Sequence, residues 1–215
     1  MSKAASFSKS STAFLLIGIF LFSSNSARVF ARERSRPTAD VVVVHPSELP
    51  PAAQIPGQAM YLRAVGFSRY LYIEQENGKR LAVFEVSRPA HARAVAEIEL
   101  NSPQFEFLQA VNSKLVLVRI AGSNGSAKLG VLDLQHPKKP TLRVLGDAEF
   151  TPASLEPSGP AKQLAPGTAI RNIRQEISDE ELGSCFVLSA EGLWIIRHPA
   201  IEKDFELKEL QFYAD

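Results

Sequence analysis

Three short apolar segments of this chain share one residue pattern, and each ends a few residues before a proline. The pattern is Leu-x-Val/Ile-x followed by a charged residue, and it occurs at 81–85, 129–133 and 193–197, with prolines at 89, 137 and 199. A spacing of roughly 45 to 60 residues between copies is typical of β-units that stack on one another. This internal repeat constrains the architecture more strongly than any single residue does.

The sequence around the repeats alternates between apolar and polar residues, which is typical of half-buried β-strands. Four such runs fall in each of three units, at about 60–100, 105–147 and 169–213, within a β-repeat domain at 59–215. The fourth run of the third unit is 205–212. Turn residues such as Asn77-Gly78 predict hairpins between the central strands. We therefore expect an all-β fold of three four-stranded antiparallel units, either propeller-like or an open β-stack.

Two proline-rich segments interrupt this pattern. Residues 32–58 read as a linker in which only the valines at 41–44 could form a strand, at the edge of a sheet. Residues 151–167 read as a long loop between the second and third units. Helix is scarce, because the best candidate, at 178–182, meets Gly183 within about one turn.

The first 31 residues have the composition of a secretory signal peptide. Lys3 and Lys9 precede an apolar run at 13–22, and small residues follow, with cleavage predicted after Ala27 or Ala31. The apolar run is about half as long as the roughly 20 residues that a membrane-spanning helix needs. We therefore expect an exported protein, periplasmic or extracellular, with no stable membrane span after cleavage.

Charge and cysteine content exclude several kinds of partner and crosslink. The chain has 24 basic and 23 acidic residues, and the predicted signal peptide contains only basic ones, Lys3, Lys9 and Arg28. The mature chain is then slightly acidic, whereas nucleic-acid-binding domains are strongly basic, so no nucleic-acid partner is expected. Cys185 is the single cysteine, which excludes an intramolecular disulfide and leaves open a bridge between two copies.

The three strings resemble degenerate copies of the bacterial LVIVD repeat, a β-propeller-type unit in which a Leu-Val-Ile-Val-Asp strand is followed by a Ser-x-Pro-like turn. Residues 86–89 and 134–137 match that turn in spacing, whereas the third copy has a shorter turn and Arg197 in place of the acidic residue. The resemblance covers roughly residues 60–212. It implies propeller blades in a secreted or surface protein, and it implies no catalytic residues.

The number of units bears on the oligomeric state, because closed propellers typically have about four to eight blades and the sequence shows three. A degenerate fourth unit in the proline-rich segments, an open stack, or a homodimer that forms a six-bladed ring would each account for this. A homodimer would cover Val187, Ile195 and Ile196, which we expect on exposed sheet faces. Residues 41–44 would then be available to complete an edge.

Five residues are candidates for a binding surface. His136 and His198 directly precede the turn prolines of their repeats, Asp133 is the acidic residue of the second string, Trp194 stands where the other copies have small residues, and Arg171 could face a central channel. No spacing typical of metal ligands or cofactor loops occurs, so no metal and no cofactor is expected. A turn position, a capping carboxylate or a packed indole is the simpler interpretation of these side chains.

These observations favour a non-enzymatic exported β-repeat protein that acts as a scaffold for a protein or a cell-envelope component. The alternative is a propeller-type hydrolase or lyase with its site on the rim that carries the long loops. The lack of a nucleophile or ligand signature favours the scaffold. Propeller active sites can be assembled from scattered residues, so the enzyme stays open as the alternative.

Export generates the first testable prediction. If the first residues are a cleaved signal peptide, the exported protein begins at Arg32 or at Arg28. Intact-mass analysis of the exported protein measures this start directly. Retention of residues 1–22 in the mature product would contradict the predicted localisation.

Overall fold

Twelve β-strands, one α-helix and four short 3₁₀ helices make up the regular structure of residues 41–122, 125–145 and 170–214, which a computed structural model of the chain describes. The predicted signal peptide at 1–31 and the proline-rich loop at 151–167 lie outside these residues. Within the described residues, no helix has the length and hydropathy of a membrane span.

The strands form three four-stranded antiparallel sheets, which confirms the predicted all-β class. The first strand is β1 (Val42–Val44). Sheet 1 contains β2 (Gly57–Val65), β3 (Ser68–Gln75), β4 (Arg80–Glu85) and β5 (Arg93–Glu99), in that order. Sheet 2 contains β6 (Phe105–Ala110), β7 (Leu115–Ala121), β8 (Ala127–Asp133) and β9 (Thr141–Val144), in that order. Sheet 3 contains β10 (Gln175–Asp179), β11 (Ser184–Ser189) and β12 (Gly192–Arg197), with β1 added beside β12.

The repeat strings occupy equivalent places in the three sheets. Residues 81–85 lie in β4, 129–133 in β8 and 193–197 in β12, so each string is the third strand of its sheet along the order just given. The first strand β2 of sheet 1 contacts both β6 and β10, the first strands of the other two sheets. First strands that lie together, with later strands outside them, are the arrangement of propeller blades.

The edge strand expected at 41–44 is present and completes sheet 3. Val42, Val43 and Val44 pair antiparallel with Arg197, Ile196 and Ile195 of β12. Strand β1 therefore takes the place beside β12 that β5 takes beside β4 and β9 takes beside β8. A segment from near the start of the described residues thus supplies the fourth strand of the last sheet.

The prediction of a strand at 205–212 was wrong, because these residues belong to helix α1 (Pro199–Ala214). Pro199 is the first helical residue, where its missing N–H removes no intrahelical bond. Good helix formers, namely Glu, Lys, Leu, Gln and Ala, fill most of the segment. Phe205 packs in the core beneath the helix, and the edge of sheet 3 is already taken by β1.

The short helix considered at 178–182 is also absent, because β10 continues to Asp179 and a turn follows. The turn is capped by Asp179, whose Oδ1 accepts a hydrogen bond from the Leu182 amide at 3.0 Å. Gly183 ends the turn with φ of +65°, and a Cβ there would overlap the Ile201 side chain. The capping residue is therefore one position later than the sequence pattern suggested.

Sheet 1 lies between the other two sheets and buries both of its faces. Leu71, Ile73 and Phe84 pack with residues of sheet 3 and α1, including Phe186. Residues on the opposite face pack with sheet 2; they are Tyr72, Leu81 and Val83, against Phe105, Val116, Val118, Ile120, Leu132 and Leu134. Apolar residues on both faces are what a sheet between two neighbours requires, as the sequence pattern indicated.

The expected exposed apolar face on the third unit is not found. Val187 and Ile195 are fully buried and Ile196 is 5% exposed. The edge strand proposed for pairing with a second copy pairs within the chain instead. The count of three sheets still leaves the homodimer as a prediction, but the apolar face and the free edge that it was expected to use are both covered within the chain.

Arg69 of β3 joins sheet 1 to sheet 3 through ion pairs. Its side chain is only 4% exposed, and it donates from Nε to Asp179 Oδ2 at 2.6 Å and from Nη2 to Glu181 Oε2 at 2.7 Å. A third bond runs from Nη1 to the Gly66 carbonyl at 2.7 Å. The guanidinium also lies 5.1 Å from the ring centre of Phe205, in cation–π range. One side chain therefore contacts sheet 1, the turn after β10 and helix α1.

The two carboxylates that bind Arg69 provide a matched test of this junction. Asp179 is 10% exposed and Glu181 is 74% exposed, so removing the Asp179 charge leaves a buried cation poorly compensated. We expect Asp179→Asn to lower the free energy of unfolding by about 3 kcal/mol. The matched control Glu181→Gln should change it by less than about 0.5 kcal/mol. Urea unfolding measures both, and equal losses would mean that burial does not determine the strength of this junction.

Candidate functional site

The structure does not bring the five predicted binding residues together. Trp194 lies in β12 of sheet 3, and His198 directly follows that strand. Asp133 is the last residue of β8 in sheet 2, and His136 lies in the turn that follows β8. Arg171 is exposed and precedes β10. These five residues therefore do not line a single cavity.

Trp194 has a packing role on sheet 3. Its Nε1 donates a hydrogen bond to Ser189 Oγ at 3.0 Å, and its ring lies 4.5 Å from the ring of His45, centre to centre. Across the sheet it faces Val187, which is fully buried. The indole thus covers the face of β11 and fixes the segment that follows β1.

Asp133 and His198 have local structural contacts. Asp133 Oδ1 accepts a hydrogen bond from the Gln135 amide at 2.8 Å, as a carboxylate that caps a turn does. The His198 amide donates to the Gly183 carbonyl at 2.9 Å, and the His198 carbonyl accepts from the Glu202 amide at 3.1 Å. His198 therefore closes sheet 3 and begins α1 through its backbone.

Of the five predicted residues, His136 lines a cleft between two sheets. The cleft has a volume of about 550 Å³ and is lined by Tyr70, His136, Pro137, Lys138 and Lys139. We call it the basic cleft. Tyr70 comes from the start of β3 in sheet 1, and the other four residues form the turn between β8 and β9 in sheet 2. The basic cleft therefore exists only because these two sheets stack.

Arg63 neighbours residues of the basic cleft without lining it. It is the cross-strand partner of Tyr70, and its Nη1 donates to the carbonyl of Leu134, two residues before His136. Only 9% of the Arg63 surface is exposed, and its Nε has no hydrogen-bond partner among the described residues. The ion pairs found among those residues do not include Arg63 either. A guanidinium so well buried normally has a carboxylate partner.

Two tyrosines extend this cluster into the sheet 1–sheet 2 interface. Burial raises the pKa of both Tyr61 and Tyr72, so both phenols are neutral donors at ordinary pH. Arg63 is near enough to oppose part of the rise at Tyr72, yet no hydrogen bond of acceptable geometry joins them, and the fully buried Tyr72 hydroxyl stays unpaired among the described residues. The Tyr61 ring stacks on Phe107 of β6 at 5.6 Å.

The described residues contain no set of three or more His, Cys, Asp and Glu side chains that could hold a metal ion. The one thiol, Cys185, is not activated. Its Sγ lies 3.2 Å from Glu176 Oε1, and burial, with a smaller contribution from this carboxylate, raises its pKa to about 12. A thiol that stays protonated at neutral pH is a poor nucleophile.

A second cleft, of about 390 Å³, opens at the opposite end of the same interface. Its lining includes Gln58, Gln104, Glu106 and Arg119, and the last two form an exposed ion pair with each other. Its charges are therefore already matched. The basic cleft, whose lysines have no such partner in the lining, is the better candidate for recognition of a charged ligand.

Comparison of the chain with protein-family models, with curated proteins and with solved structures finds no match. The resemblance to the LVIVD repeat therefore stays a prediction.

Sequence reasoning found His136 but missed Arg63, Tyr70, Lys138 and Lys139. A usable signal was present, because the β2–β3 hairpin fixes Arg63 opposite Tyr70 once its turn at Gly66 is recognised. The pair Lys138-Lys139 directly follows the turn proline of the second repeat. The meeting of these two segments depends on sheet stacking, which no local pattern reports.

Glu74 of β3 is a second buried group at this interface, and it generates a pH prediction. It is fully buried and neither carboxylate oxygen receives a hydrogen bond of good geometry. Burial raises its pKa from 4.5 to about 7, and the nearby Gly78 and Gln58 amides and Arg174 only partly oppose the rise.

Because the folded protein holds the Glu74 proton more tightly than the unfolded chain does, stability should fall as pH rises from about 4.5 to about 7. We expect this group to contribute a decrease of roughly 3 kcal/mol over that range. Glu74→Gln should remove that contribution, whereas the matched control Glu76→Gln, at an exposed site, should keep it. Urea unfolding at several pH values measures the difference, and identical pH profiles for Glu74→Gln and the parent protein would refute it.

Proposed function

We propose that this chain is a non-enzymatic exported scaffold whose propeller-like sheets present the basic cleft to a protein or a cell-envelope component. The observation that carries the proposal is the cleft itself. It combines an aromatic wall, Tyr70, with a turn that holds Pro137 and two lysines. Apolar surface beside a few fixed polar groups is typical of binding sites.

The packing of the sheets supports a scaffold. Tyr70 and the lysine-bearing turn are carried by strands whose neighbours Tyr72 and Leu132 are fully buried in one core. The walls of the cleft are thus held by rigid elements before any ligand arrives. A preformed site binds with a smaller loss of conformational freedom.

We also propose that the three sheets are LVIVD-type blades. This rests on the equivalent position of the three strings, each the third strand of its sheet. The departure of the third copy has a physical reason in the chain. Arg197, which replaces the acidic residue, donates from Nε and Nη2 to Glu202 of α1 at 2.9 and 2.6 Å.

Site-specific crosslinking tests the scaffold. A photo-crosslinking amino acid placed at Lys139, in the basic cleft, should give discrete adducts of higher mass in the envelope of the source organism. The same amino acid at Lys208, exposed on α1, is the control and should give none. Protease treatment of the adducts then separates a protein partner from an envelope polymer. Equal labelling from both positions, or none from Lys139, would contradict binding at this cleft.

The alternative, a hydrolase or lyase, makes a different prediction for the same cleft. An enzyme there would use His136, because histidine is the side chain that most often serves in general acid–base catalysis. We expect chromogenic ester, phosphate and glycoside substrates to show no turnover that His136→Ala abolishes. Turnover lost in this variant, with unchanged unfolding free energy, would favour the enzyme.

A further inference from the structure

Three consecutive residues with left-handed backbone form the turn between β3 and β4. Glu76, Asn77 and Gly78 have φ of +54°, +56° and +89°. Asn101, in the segment that leads from β5 to β6, has φ of +48°. Residues other than glycine rarely adopt such φ values, and those that do cluster at sites that change conformation. The turn therefore holds backbone strain that its opening would release.

The segment that connects sheet 1 to sheet 2 holds this turn closed. Gly78 packs so tightly on it that a Cβ at this position would overlap the Pro103 carbonyl and the Gln104 amide. The Leu100 amide donates a hydrogen bond to the Lys79 carbonyl at 2.8 Å. Opening of the turn would break both contacts, so the amides of Gly78 and Leu100 report its position.

Glu74 lies two residues before this turn, and neither of its carboxylate oxygens receives a hydrogen bond of good geometry among the described residues. It is fully buried, and its cross-strand partners Ala59 and Leu81 are apolar. The amides of Gly78 and Gln58 lie near its carboxylate. Burial disfavours the ionised form of such a group, and contact with water removes this penalty.

The charges around Glu74 compensate this burial only in part. Arg174, just before β10, favours the ionised form, but its Nη1 already donates to the Gly57 carbonyl at 2.6 Å. The other charged side chains of the turn and of the second cleft face solvent or one another; they are Lys79, Glu76 with Arg80, and Glu106 with Arg119. Burial therefore dominates and raises the pKa of Glu74 to about 7.

We propose that Glu74 and the turn at 76–78 form a pH-sensitive switch at the junction of sheets 1 and 2. While Glu74 is protonated, the turn stays packed on Pro103; when Glu74 ionises, the turn opens and water reaches the carboxylate. Water can enter from the second cleft, because Gln58 and Ala59, which neighbour Glu74, both line it. The apolar core between the two sheets stays packed in both states, so the change is local.

Proton linkage gives the direction and the size of the effect. In the closed form the pKa of Glu74 is raised from 4.5 to about 7, whereas water contact in the open form restores the ordinary value. The closed form therefore holds the proton more tightly and is favoured at low pH, and this advantage is lost as pH rises through about 7. The equilibrium constant for opening should increase about thirtyfold between pH 5.5 and 8.

Amide hydrogen exchange of the mature protein, measured residue by residue by NMR, tests the switch. After correction for the intrinsic pH dependence of exchange, protection of the Gly78 and Leu100 amides should fall about thirtyfold between pH 5.5 and 8. Their exchange should not respond to about 1 M urea, because a local opening exposes little surface. Exchange of the Phe186 amide, in the central strand β11 of sheet 3, should respond, because it requires global unfolding.

Three variants assign the effect to this turn. Glu74→Gln cannot ionise, so both reporter amides should stay protected at pH 8. Glu76→Gln removes an exposed charge from the same turn and is the matched control, so the pH dependence should remain. Gly78→Ala places a methyl group against Pro103 and should leave the Leu100 amide weakly protected at both pH values.

Equal protection of the reporter amides at both pH values, or a pH dependence that persists in Glu74→Gln, would overturn the proposal. Exchange of Gly78 and Leu100 that responds to urea as Phe186 does would overturn it too, because the Glu74 proton would then control only global unfolding. The pH and urea series of the parent protein carry this test even if a variant does not fold.

Discussion

The need of sheet 1 to bury both of its faces determines how the rest of the chain is arranged. Val83 and Phe84 are adjacent residues of β4, point to opposite faces and are both fully buried. No two-layer arrangement satisfies both, so a further sheet must cover each side. Sheets 2 and 3 supply these covers, and Arg69 adds a charged junction on one side only. On the other side the junction is aromatic, from Tyr61 to Phe107, and this side is where the basic cleft opens.

The strands, the hairpins and the number of sheets could be predicted because they depend on local signals. Alternation with period two and turn residues such as Asn77-Gly78 are properties of a few neighbouring residues. The fourth strand of sheet 3, in contrast, does not follow from local signals alone. Residues 41–44 and 205–212 were both predicted as strands, and the choice between them depends on which one meets β12. Pro199 and the pair between Arg197 and Glu202 commit the later segment to a helix.

The candidate site was predicted far less well than the fold. Arg63 and Leu134 are 71 positions apart in the sequence, yet a hydrogen bond joins them. Four of the five predicted binding residues are not in the lining of the basic cleft, among them Asp133, the last residue of β8. Repeats identify positions that matter for every sheet, such as turns and core strands. A binding site occupies one place in the molecule rather than the corresponding position in every sheet, so the repeat pattern does not reveal it.

The pairing of β1 with β12 also sets the order in which the chain can complete its structure during synthesis. Val42 leaves the ribosome before any other strand residue of the described chain, whereas its partner Arg197 follows only when nearly all of the chain has been made. Sheet 1 and sheet 2 consist of consecutive hairpins and can form as they emerge. Sheet 3 is complete only when β1 meets β12, so we expect its closure to be the slow, long-range step of folding.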